Sequence, residues 1–252
     1  MIVLKTEKEL NKLYAANQIV ARTLRLLRKK IAAGMTTGEL DALAEQAIRA
    51  EGAEPAFKGY HGFPATLCIS INEEVVHGIP GRRRIKNGDV VSLDVGVLLD
   101  GFYGDAAITV AVGTITPAAR KLMHVTEQSL YKGIEKAVPG GRLADISRAV
   151  QQHVEAHGFN VVRDFVGHGI GRSLHEDPQI PNFYSAAAFN PRLKEGMALS
   201  LEPMVNQGTF RVKVLKDGWT AVTQDGRLSA HYEHTVAVTA DGPWILSRLD
   251  GA

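Results

Sequence analysis

Four carboxylate side chains lie inside apolar, β-branched stretches of the sequence, where a folding chain usually has valine or isoleucine. They are Asp94 in VVSLDVGV, Asp105 in FYGDAAITV, Glu202 in MALSLEPMV and Glu233 in AHYEHTVAV. Aspartate is among the poorest strand formers. A buried, unpaired carboxylate is strongly destabilising unless it is neutralised or binds a cation. Metal ions are therefore the first partner to consider for these residues.

The first two carboxylates are joined by a strong hairpin signal. Asp100-Gly101 is a two-residue turn sequence between two apolar runs, and such a turn pairs Gly96 with Asp105 across the strands. Asp94 is then the diagonal neighbour of Asp105 on the same face, at a Cβ separation of ~7 Å. That distance suits two carboxylates that converge on a pair of metal ions ~3.5–4 Å apart. The alternative is that both are exposed residues on a polar strand face.

Two histidines later in the chain add nitrogen donors. His168 and His175 lie in FVGHGIGRSLHEDP, where Gly169 and Gly171 let the backbone bend tightly and bring both imidazoles to one cavity. Taken singly, each histidine is also compatible with a structural or a surface role. One imidazole with four carboxylates is a hard, oxygen-rich set. It suits Mn, Fe, Co or Zn in a dinuclear site and lacks the thiolates of a structural zinc site.

Helical and strand patterns alternate in two rounds along the chain. Capping-box sequences with periodic apolar residues predict the helices, and β-branched runs predict the strands. The predicted elements are helices from Thr6 to Gly34 and from Thr36 to Gly52, strands in LCISI, EVVHGI, DVVSLDVGVLL and FYGDAAITVAV, helices over about 117–138 and 143–157, and further short strands. This order indicates an α+β fold with helices outside one curved antiparallel sheet.

The two rounds resemble each other weakly. Residues 39–52 and 145–158 share apolar positions, but only three aligned pairs are identical. Chance similarity between two amphipathic helices explains them as well as a duplication does. We expect a single domain over 1–252, with similar halves at about 1–135 and 136–252.

Composition limits the class of protein. The 252 residues are 45% hydrophobic and 22% charged, with a net charge of +2, which is ordinary globular usage and argues against disorder or a coiled coil. The basic run at 81–86 fits a solvated turn better than a polyanion contact, so no specific nucleic acid is expected. The single cysteine, the lack of a signal-peptide pattern and the lack of ~18 consecutive uncharged apolar residues predict a cytoplasmic protein outside the membrane.

Five motifs occur in an order and approximate spacing that resemble those of a known family. NEEVVHGIP, LDVGVLLDGFYGD, GHGIGRSLHE, SLEPM and YEHT are similar to motifs of the type I methionine aminopeptidases in their short bacterial form, over about residues 6–246. The resemblance implies the pita-bread fold, in which two pseudo-symmetric α+β halves share a curved antiparallel sheet covered by helices on its outer face. It also implies two divalent metal ions, Co, Mn, Fe or Zn, held by Asp94, Asp105, His168, Glu202 and Glu233.

The resemblance further implies a reaction. Members of the family remove the N-terminal methionine from nascent proteins when the second residue is small, and a metal-bridging hydroxide attacks the first peptide bond. Glu202 matches the general base, His175 the group that stabilises the carbonyl oxygen, and His77 a substrate contact beyond the cut. The implied walls of the methionine pocket are Phe57, Tyr60, Phe63, Cys68, Leu174 and Trp219. Cys68 has no activating base nearby in sequence, so it is predicted to be a wall residue rather than a nucleophile.

Three positions depart from the bacterial pattern. Val76 and Phe57 stand where cysteine is common, and His231 replaces a more usual glutamine. These departures bear on pocket size, thiol sensitivity and pH profile rather than on the ligands. His231 shares strand parity with Glu233 and can face the site, so we expect His231→Gln to alter the pH-rate profile.

Two alternatives to this activity stay open at the level of sequence. A proline-specific peptidase of the same fold shares the ligand set but usually has an extra N-terminal domain, and only 93 residues precede Asp94. A non-catalytic binding protein of this fold would be expected to have lost ligands, and all five positions are filled. For the aminopeptidase, the expected partners are nascent polypeptide N-termini and the ribosome near its exit tunnel, and the expected state is a monomer.

Overall fold

Helices and strands follow one another in the predicted order. The computed structural model describes residues 1–249. Its helices are α1 (Glu7–Lys30), α2 (Thr37–Ala50), α3 (Pro117–Ile134) and α4 (Leu143–Ala156). Its strands are β1 (Glu54–Pro55), β2 (Leu67–Ile71), β3 (Glu74–Val76), β4 (Val90–Leu99), β5 (Phe102–Ala111), β6 (Asn160–Val161), β7 (Val166–Gly169), β8 (Glu176–Pro181), β9 (Ala198–Leu201), β10 (Met204–Asn206), β11 (Val212–Val214), β12 (Ala221–Thr223), β13 (Ser229–His231), β14 (Glu233–Thr239) and β15 (Gly242–Ile245).

The first two helices begin at the predicted capping boxes. The hydroxyl of Thr6 accepts the backbone N–H of Glu9, whose carboxylate accepts the backbone N–H of Thr6. Thr36 and Glu39 make the same exchange at the start of α2. Each box satisfies N–H groups that the first turn of a helix leaves without an intrahelical partner. The two helix starts are therefore fixed by local sequence.

Nine strands form the main antiparallel sheet of residues 1–249, in the order β1-β4-β5-β14-β9-β7-β8, with β2 also paired to β4 and β15 to β14. Two three-stranded sheets, β13-β10-β6 and β11-β12-β3, lie beside it. Strand β14, near the end of the chain, pairs with β5 on one side and β9 on the other. It thereby joins the strands that follow the first helix pair to those that follow the second.

The hairpin between β4 and β5 has the predicted register. Asp100 and Gly101 form the turn with φ values of +49° and +76°, a left-handed conformation that glycine adopts without strain and aspartate tolerates. Gly96 lies opposite Asp105 in the ladder. Asp94 is thus the diagonal neighbour of Asp105, as the turn sequence predicts.

Helix α1 packs on the face of the sheet that is opposite Asp105. Side chains alternate along a strand, so Gly104 points away from its neighbour Asp105. A Cβ atom at Gly104 would lie 2.8 Å from backbone atoms of Ala16 and Asn17, so glycine permits this close approach of the helix. The buried side chain of Asn17 accepts the backbone N–H of Asp105 at 3.2 Å. The helix therefore fixes the strand that carries this carboxylate.

The apolar core lies between the helices and the sheet. One cluster joins α1 and α2 to β2, β4 and β5 through residues such as Leu27 and Leu93, and another joins α3 and α4 to β9 and β14 through residues such as Ile146 and Leu199. Each such buried aliphatic side chain contributes about 1.5–3 kcal/mol. Among residues 1–249, no helix combines the length and apolar character needed to cross a membrane.

Candidate active site

Three carboxylates project from one face of three adjacent strands. Asp94 of β4 and Glu233 of β14 are both paired with Ala107 of β5, from its two sides. Asp105 lies two residues before Ala107 and so points to the same face. The small side chain of Ala107 leaves room between the carboxylates. Three acidic groups therefore lie close together on one face of the sheet.

The second half of the chain adds an imidazole and a fourth carboxylate. Ser200 of β9 is paired with His168 of β7 and Thr235 of β14, and Glu202 follows directly after β9. His168 Nε2 lies 3.5 Å from Glu202 Oε1 and 3.8 Å from Asp105 Oδ2. Five strands or strand ends thus bring together the predicted ligand set.

The electrostatics of this cluster favour a cation. Burial, followed by the charge of the neighbouring carboxylates, raises the pKa values of Asp105, Glu202 and Glu233 well above their ordinary range. Burial raises the pKa of Asp94 to about 7. Both causes disfavour the charged form of an acid, so the ionised cluster requires positive charge beside it.

The donor atoms also fit a divalent metal. Asp94 Oδ1, Asp105 Oδ1 and Glu233 Oε1 are buried without a hydrogen-bond partner in the described part of the chain. Ligand atoms of Asp105, His168 and Glu233 lie within 4.8 Å of one another. Buried oxygens are normally satisfied, and orphaned carboxylate oxygens beside an imidazole are a ligand set for hard or borderline divalent ions.

His168, which is buried, and His77, which is partly buried, are neutral. Burial, aided by the nearby His175, lowers the pKa of His168 to about 3 and that of His77 to about 4. His168 Nδ1 donates to the carbonyl oxygen of Gly169 at 2.9 Å. This contact fixes the tautomer. It leaves Nε2, which faces the carboxylates, without a proton and free to bind a metal ion.

The carboxylates line a cavity of about 240 Å³ together with apolar and aromatic side chains. Every predicted site residue contributes to its lining, namely Phe57, Tyr60, Phe63, Cys68, His77, Asp94, Asp105, His168, Leu174, His175, Glu202, Trp219 and Glu233. Phe63 and Trp219 meet edge to face, with ring centroids 5.2 Å apart. Burial raises the pKa of the Cys68 thiol well above its usual value, so Cys68 stays protonated, as a wall residue would.

Sequence reasoning missed one lining residue, His61. It lies between Gly59 and Gly62 in a short 3₁₀ turn and has a φ of +48°. A non-glycine residue in this conformation is uncommon and often marks a functional turn. The glycines around it were the available signal. They indicated a bent loop but not which side chain it would present.

Three contacts orient the two predicted site histidines that are not predicted ligands. The hydroxyl of Tyr60 lies 2.7 Å from His175 Nδ1, so His175 Nε2 is the ring nitrogen left for a substrate. The ring of His77 meets Phe165 and Trp219 edge to face, at centroid distances of 5.3 and 6.4 Å. Packing and hydrogen bonding therefore hold both imidazoles at the cavity wall.

Comparison with known proteins identifies the family. The model of metallopeptidase family M24 matches residues 11–240. The chain is 56% identical to a methionine aminopeptidase of Clostridium perfringens over 99% of this chain and all of that protein. It is 53% identical to methionine aminopeptidase 1 of Bacillus subtilis, again over 99% and 100%. The chain belongs to metallopeptidase family M24.

Solved structures of family M24 confirm the fold prediction. A methionine aminopeptidase from Thermotoga maritima superposes with a TM-score of 0.96 and 47% identity, over 99% of this chain and all of that one. A prolidase from Pyrococcus furiosus superposes at 0.80 with 23% identity, over 98% of this chain but 66% of that one. The predicted α+β pita-bread architecture is therefore correct. The similarity to the prolidase shows the fold alone.

The three departures from the pattern within family M24 have different positions. Phe57 lines the cavity, whereas Val76 is buried behind it. His231 Nε2 is buried, 3.9 Å from Glu202 Oε2, with no hydrogen-bond partner among residues 1–249. Burial lowers the pKa of His231 to about 3. The ring thus faces the site as predicted, but it stays neutral across the range of an ordinary assay.

Proposed function

We propose that the chain is a methionine aminopeptidase, which hydrolyses the first peptide bond of proteins that begin with methionine followed by a small residue. One observation carries the proposal: three buried carboxylates with orphaned oxygens, the partly buried Glu202 and a neutral imidazole line the same cavity as a set of apolar and aromatic walls. The names of the similar proteins support the same activity.

Two divalent ions would be held by Asp94, Asp105, His168, Glu202 and Glu233. Mn, Fe, Co and Zn all suit this donor set. When bound, such ions supply Lewis acidity toward the substrate and activate water near neutral pH. The role of the protein is then to hold the substrate, orient its peptide bond and move protons.

Three side chains act on the reacting peptide. Glu202, at the end of β9, accepts the proton of the attacking water and passes it to the departing amine. His175 donates from Nε2 to the carbonyl oxygen as negative charge develops there, because Nδ1 is engaged by Tyr60 at 2.7 Å. His77, which is neutral, donates to the peptide beyond the cut. Partial burial also lowers the pKa of His175, so both rings can serve a developing oxyanion as uncharged donors.

The cavity selects methionine by shape and polarisability. Leu174 supplies an aliphatic wall, and the perpendicular rings of Phe63 and Trp219 present an edge and a face. Aromatic rings make favourable contacts with a thioether sulfur. The cavity of about 240 Å³ that these walls share with the carboxylates has room for such a side chain. The substrate amine lies among the carboxylates, so attack is confined to the first bond.

The remaining expectations extend this proposal. The substrates are the N-termini of nascent polypeptides, which are produced in the cytoplasm, so we place the protein there and near the ribosomal exit tunnel. We also propose that the chain acts as a monomer and as a single catalytic domain over 1–252, with halves at about 1–135 and 136–252.

A peptide assay with metal add-back tests the proposal. Metal-stripped protein is incubated with Met-Ala-Ser, Met-Leu-Ser and Ala-Pro-Ser, and Mn, Fe, Co or Zn is returned singly while products are followed by mass spectrometry. Metal-dependent release of methionine from Met-Ala-Ser alone is expected. Cleavage of Ala-Pro-Ser would transfer the assignment to a proline-specific peptidase, and no cleavage with any metal would favour a binding protein.

A further inference from the structure

The loop that ends at His175 is held by a residue from the start of the chain. Lys5 places its Nζ 2.5 Å from Glu176 Oε2, and the two side chains are only 4% and 14% exposed. The other oxygen, Glu176 Oε1, accepts the backbone N–H groups of Arg172 at 2.8 Å and Ser173 at 3.2 Å. The carboxylate of Glu176 thus holds the loop by two backbone hydrogen bonds and forms an ion pair with a lysine that is distant in sequence.

A glycine allows this ion pair to lie directly against the backbone. A Cβ atom at Gly171 would lie 2.5 Å from Glu176 Oε1 and 2.6 Å from Lys5 Cε. The carbonyl oxygen of Gly171 accepts the backbone N–H of Tyr103 at 2.9 Å. Tyr103 belongs to β5, the strand that carries Asp105. The loop is therefore fastened both to the ion pair and to a strand of the candidate metal site.

The lysine is itself fixed. Its backbone N–H donates to Gly196 O at 2.7 Å, and its Nζ also donates to Val3 O at 3.0 Å. A second ion pair between the same two segments, Arg172 with Glu9 at 3.2 Å, is exposed, since 67% of the Arg172 side chain is accessible. Exposed pairs contribute little, whereas a buried charge that loses its partner is strongly unfavourable. The buried pair is the one that can control the loop.

We propose that Lys5 and Glu176 are positioning residues for His175, an inference that rests on the proposed function. Neither residue lines the cavity, so both act through the loop. The His175 ring is held by the Tyr60 hydroxyl at 2.7 Å, and its backbone is held by the adjacent Glu176. Loss of the Glu176 charge breaks the ion pair with Lys5 and weakens the two backbone hydrogen bonds, because a neutral oxygen is a weaker acceptor than a carboxylate. His175 then moves relative to the carbonyl oxygen that it serves.

The first test compares the steady-state kinetics of Glu176→Gln and Lys5→Met with those of wild type on Met-Ala-Ser. A displacement of about 1 Å at a reacting group costs up to about 100-fold in rate, so we expect kcat to fall about 10- to 100-fold. KM should stay within about twofold, because His175 acts mainly in the transition state.

Lys5→Arg keeps the ion pair and should retain most of the wild-type kcat. Arg172→Gln, which removes the exposed pair and the contact of the guanidinium with the Phe102 ring but leaves the buried pair intact, is the matched control and should stay within about twofold.

A second measurement separates positioning from general destabilisation. Val154→Ala removes a buried contact in α4, away from the loop, and is the control: it should lower thermal stability and leave kcat unchanged. Amide hydrogen exchange of Arg172 and Ser173 should accelerate in Glu176→Gln and Lys5→Met but not in Val154→Ala. The NMR signals of the His175 ring should shift in the same two variants. If Glu176→Gln does not fold, the Lys5→Met and Lys5→Arg pair carries the comparison.

Two results would overturn the inference. One is a normal kcat in Lys5→Met with a folded loop, and the other is unchanged amide exchange and unchanged His175 signals in both variants. Failure of the proposed function is recognised separately, because wild type itself would then release no methionine with any metal. In that case the exchange and ring signals still decide whether the ion pair positions His175.

Discussion

At the scale of single residues, the buried carboxylates carry an electrostatic penalty in the metal-free protein. Asp94, Asp105, Glu202 and Glu233 lie in one cavity, and their pKa values are raised by burial and, for all but Asp94, by one another. A function that needs cations therefore has a cost in stability when the cations are absent. Substitutions at these positions should separate the effect of the carboxylates on stability from their effect on metal binding.

Asp94→Asn should stabilise the metal-free protein at high pH and weaken metal binding. Burial raises the pKa of Asp94 from 3.8 to about 7, so the folded state holds this proton more tightly than the unfolded chain does. The contribution of the carboxyl to stability is then lost as the pH rises from about 4 to about 7. Urea unfolding in EDTA should show Asp94→Asn more stable than wild type at pH 8, with the gap narrowing toward pH 5.

The exposed Asp241→Asn is the control for this series and should stay within about 0.5 kcal/mol of wild type. A gap between wild type and Asp94→Asn that is constant with pH would contradict the predicted pKa shift. Calorimetric titration with Mn²⁺ should show weakened binding in the Asp94 variant alone.

His231→Gln should move the acid limb of the kcat/KM profile to lower pH. The neutral ring lies 3.9 Å from Glu202 Oε2 and makes no hydrogen bond to it, whereas a glutamine amide can donate. A donated hydrogen bond favours the ionised carboxylate and lowers its pKa. His231→Asn, whose amide is too short to reach, is the comparison. An unchanged profile in the glutamine variant would remove this position from the catalytic machinery.

At the scale of elements, local signals were predictable and non-local pairings were not. The Asp100-Gly101 turn and the two capping boxes depend on a few neighbouring residues, and the structure confirms all of them. Nothing local indicates that β14 pairs with β5, since the two strands are far apart in sequence and the pairing is chosen by tertiary packing. The sequence pattern therefore offered four carboxylates and two histidines as candidates, and the hairpin brought only two of the carboxylates together. The selection of the five ligands depended on the motif resemblance.

Gly96→Ala tests how the hairpin shapes the pocket. Gly96 lies opposite Asp105, and a Cβ atom there would lie 2.5 Å from Phe57 Cε1. The methyl group should push the Phe57 ring into the cavity and raise KM for Met-Ala-Ser about 10-fold, a typical effect of a small steric change in an apolar pocket. Metal affinity should be unchanged, because no ligand is displaced.

Gly81→Ala is the matched control, since its added Cβ would meet nothing within 4 Å. Equal KM values for the Gly96 variant and wild type would show that Phe57 does not limit the methionine pocket. A crystal structure of the variant with bound methionine would report the ring position directly.

At the scale of the whole molecule, the candidate metal centre connects strands that follow different helix pairs. Asp94 and Asp105 precede α3, whereas His168, Glu202 and Glu233 follow α4. Ions bound by both groups would link the two parts of the sheet at its middle. The relatives that show the family and the fold match nearly the full length of the chain. The linkage between the two parts of the sheet is a property of the folded chain as a unit.

Divalent metal should therefore raise the thermal stability of the whole chain in one cooperative step. A ligand that binds only the folded state at 100 times its Kd stabilises it by about 2.7 kcal/mol. Thermal unfolding of metal-stripped protein should shift upward with added Mn²⁺ as a single transition. Asp105→Asn should abolish the shift. Two transitions that separate as metal is added would show that the halves unfold independently.

The central position of β14 has a consequence for synthesis of the protein. The strand is formed by Glu233–Thr239, which follows both β5 and β9 in the chain, yet it fills the space between them. Until it leaves the ribosome, β5 keeps an open edge that can pair with another growing chain, and the cavity lacks one carboxylate wall. The polypeptide can therefore have no peptidase activity until β14 has paired with both neighbours. The open edge of β5 needs protection up to that point.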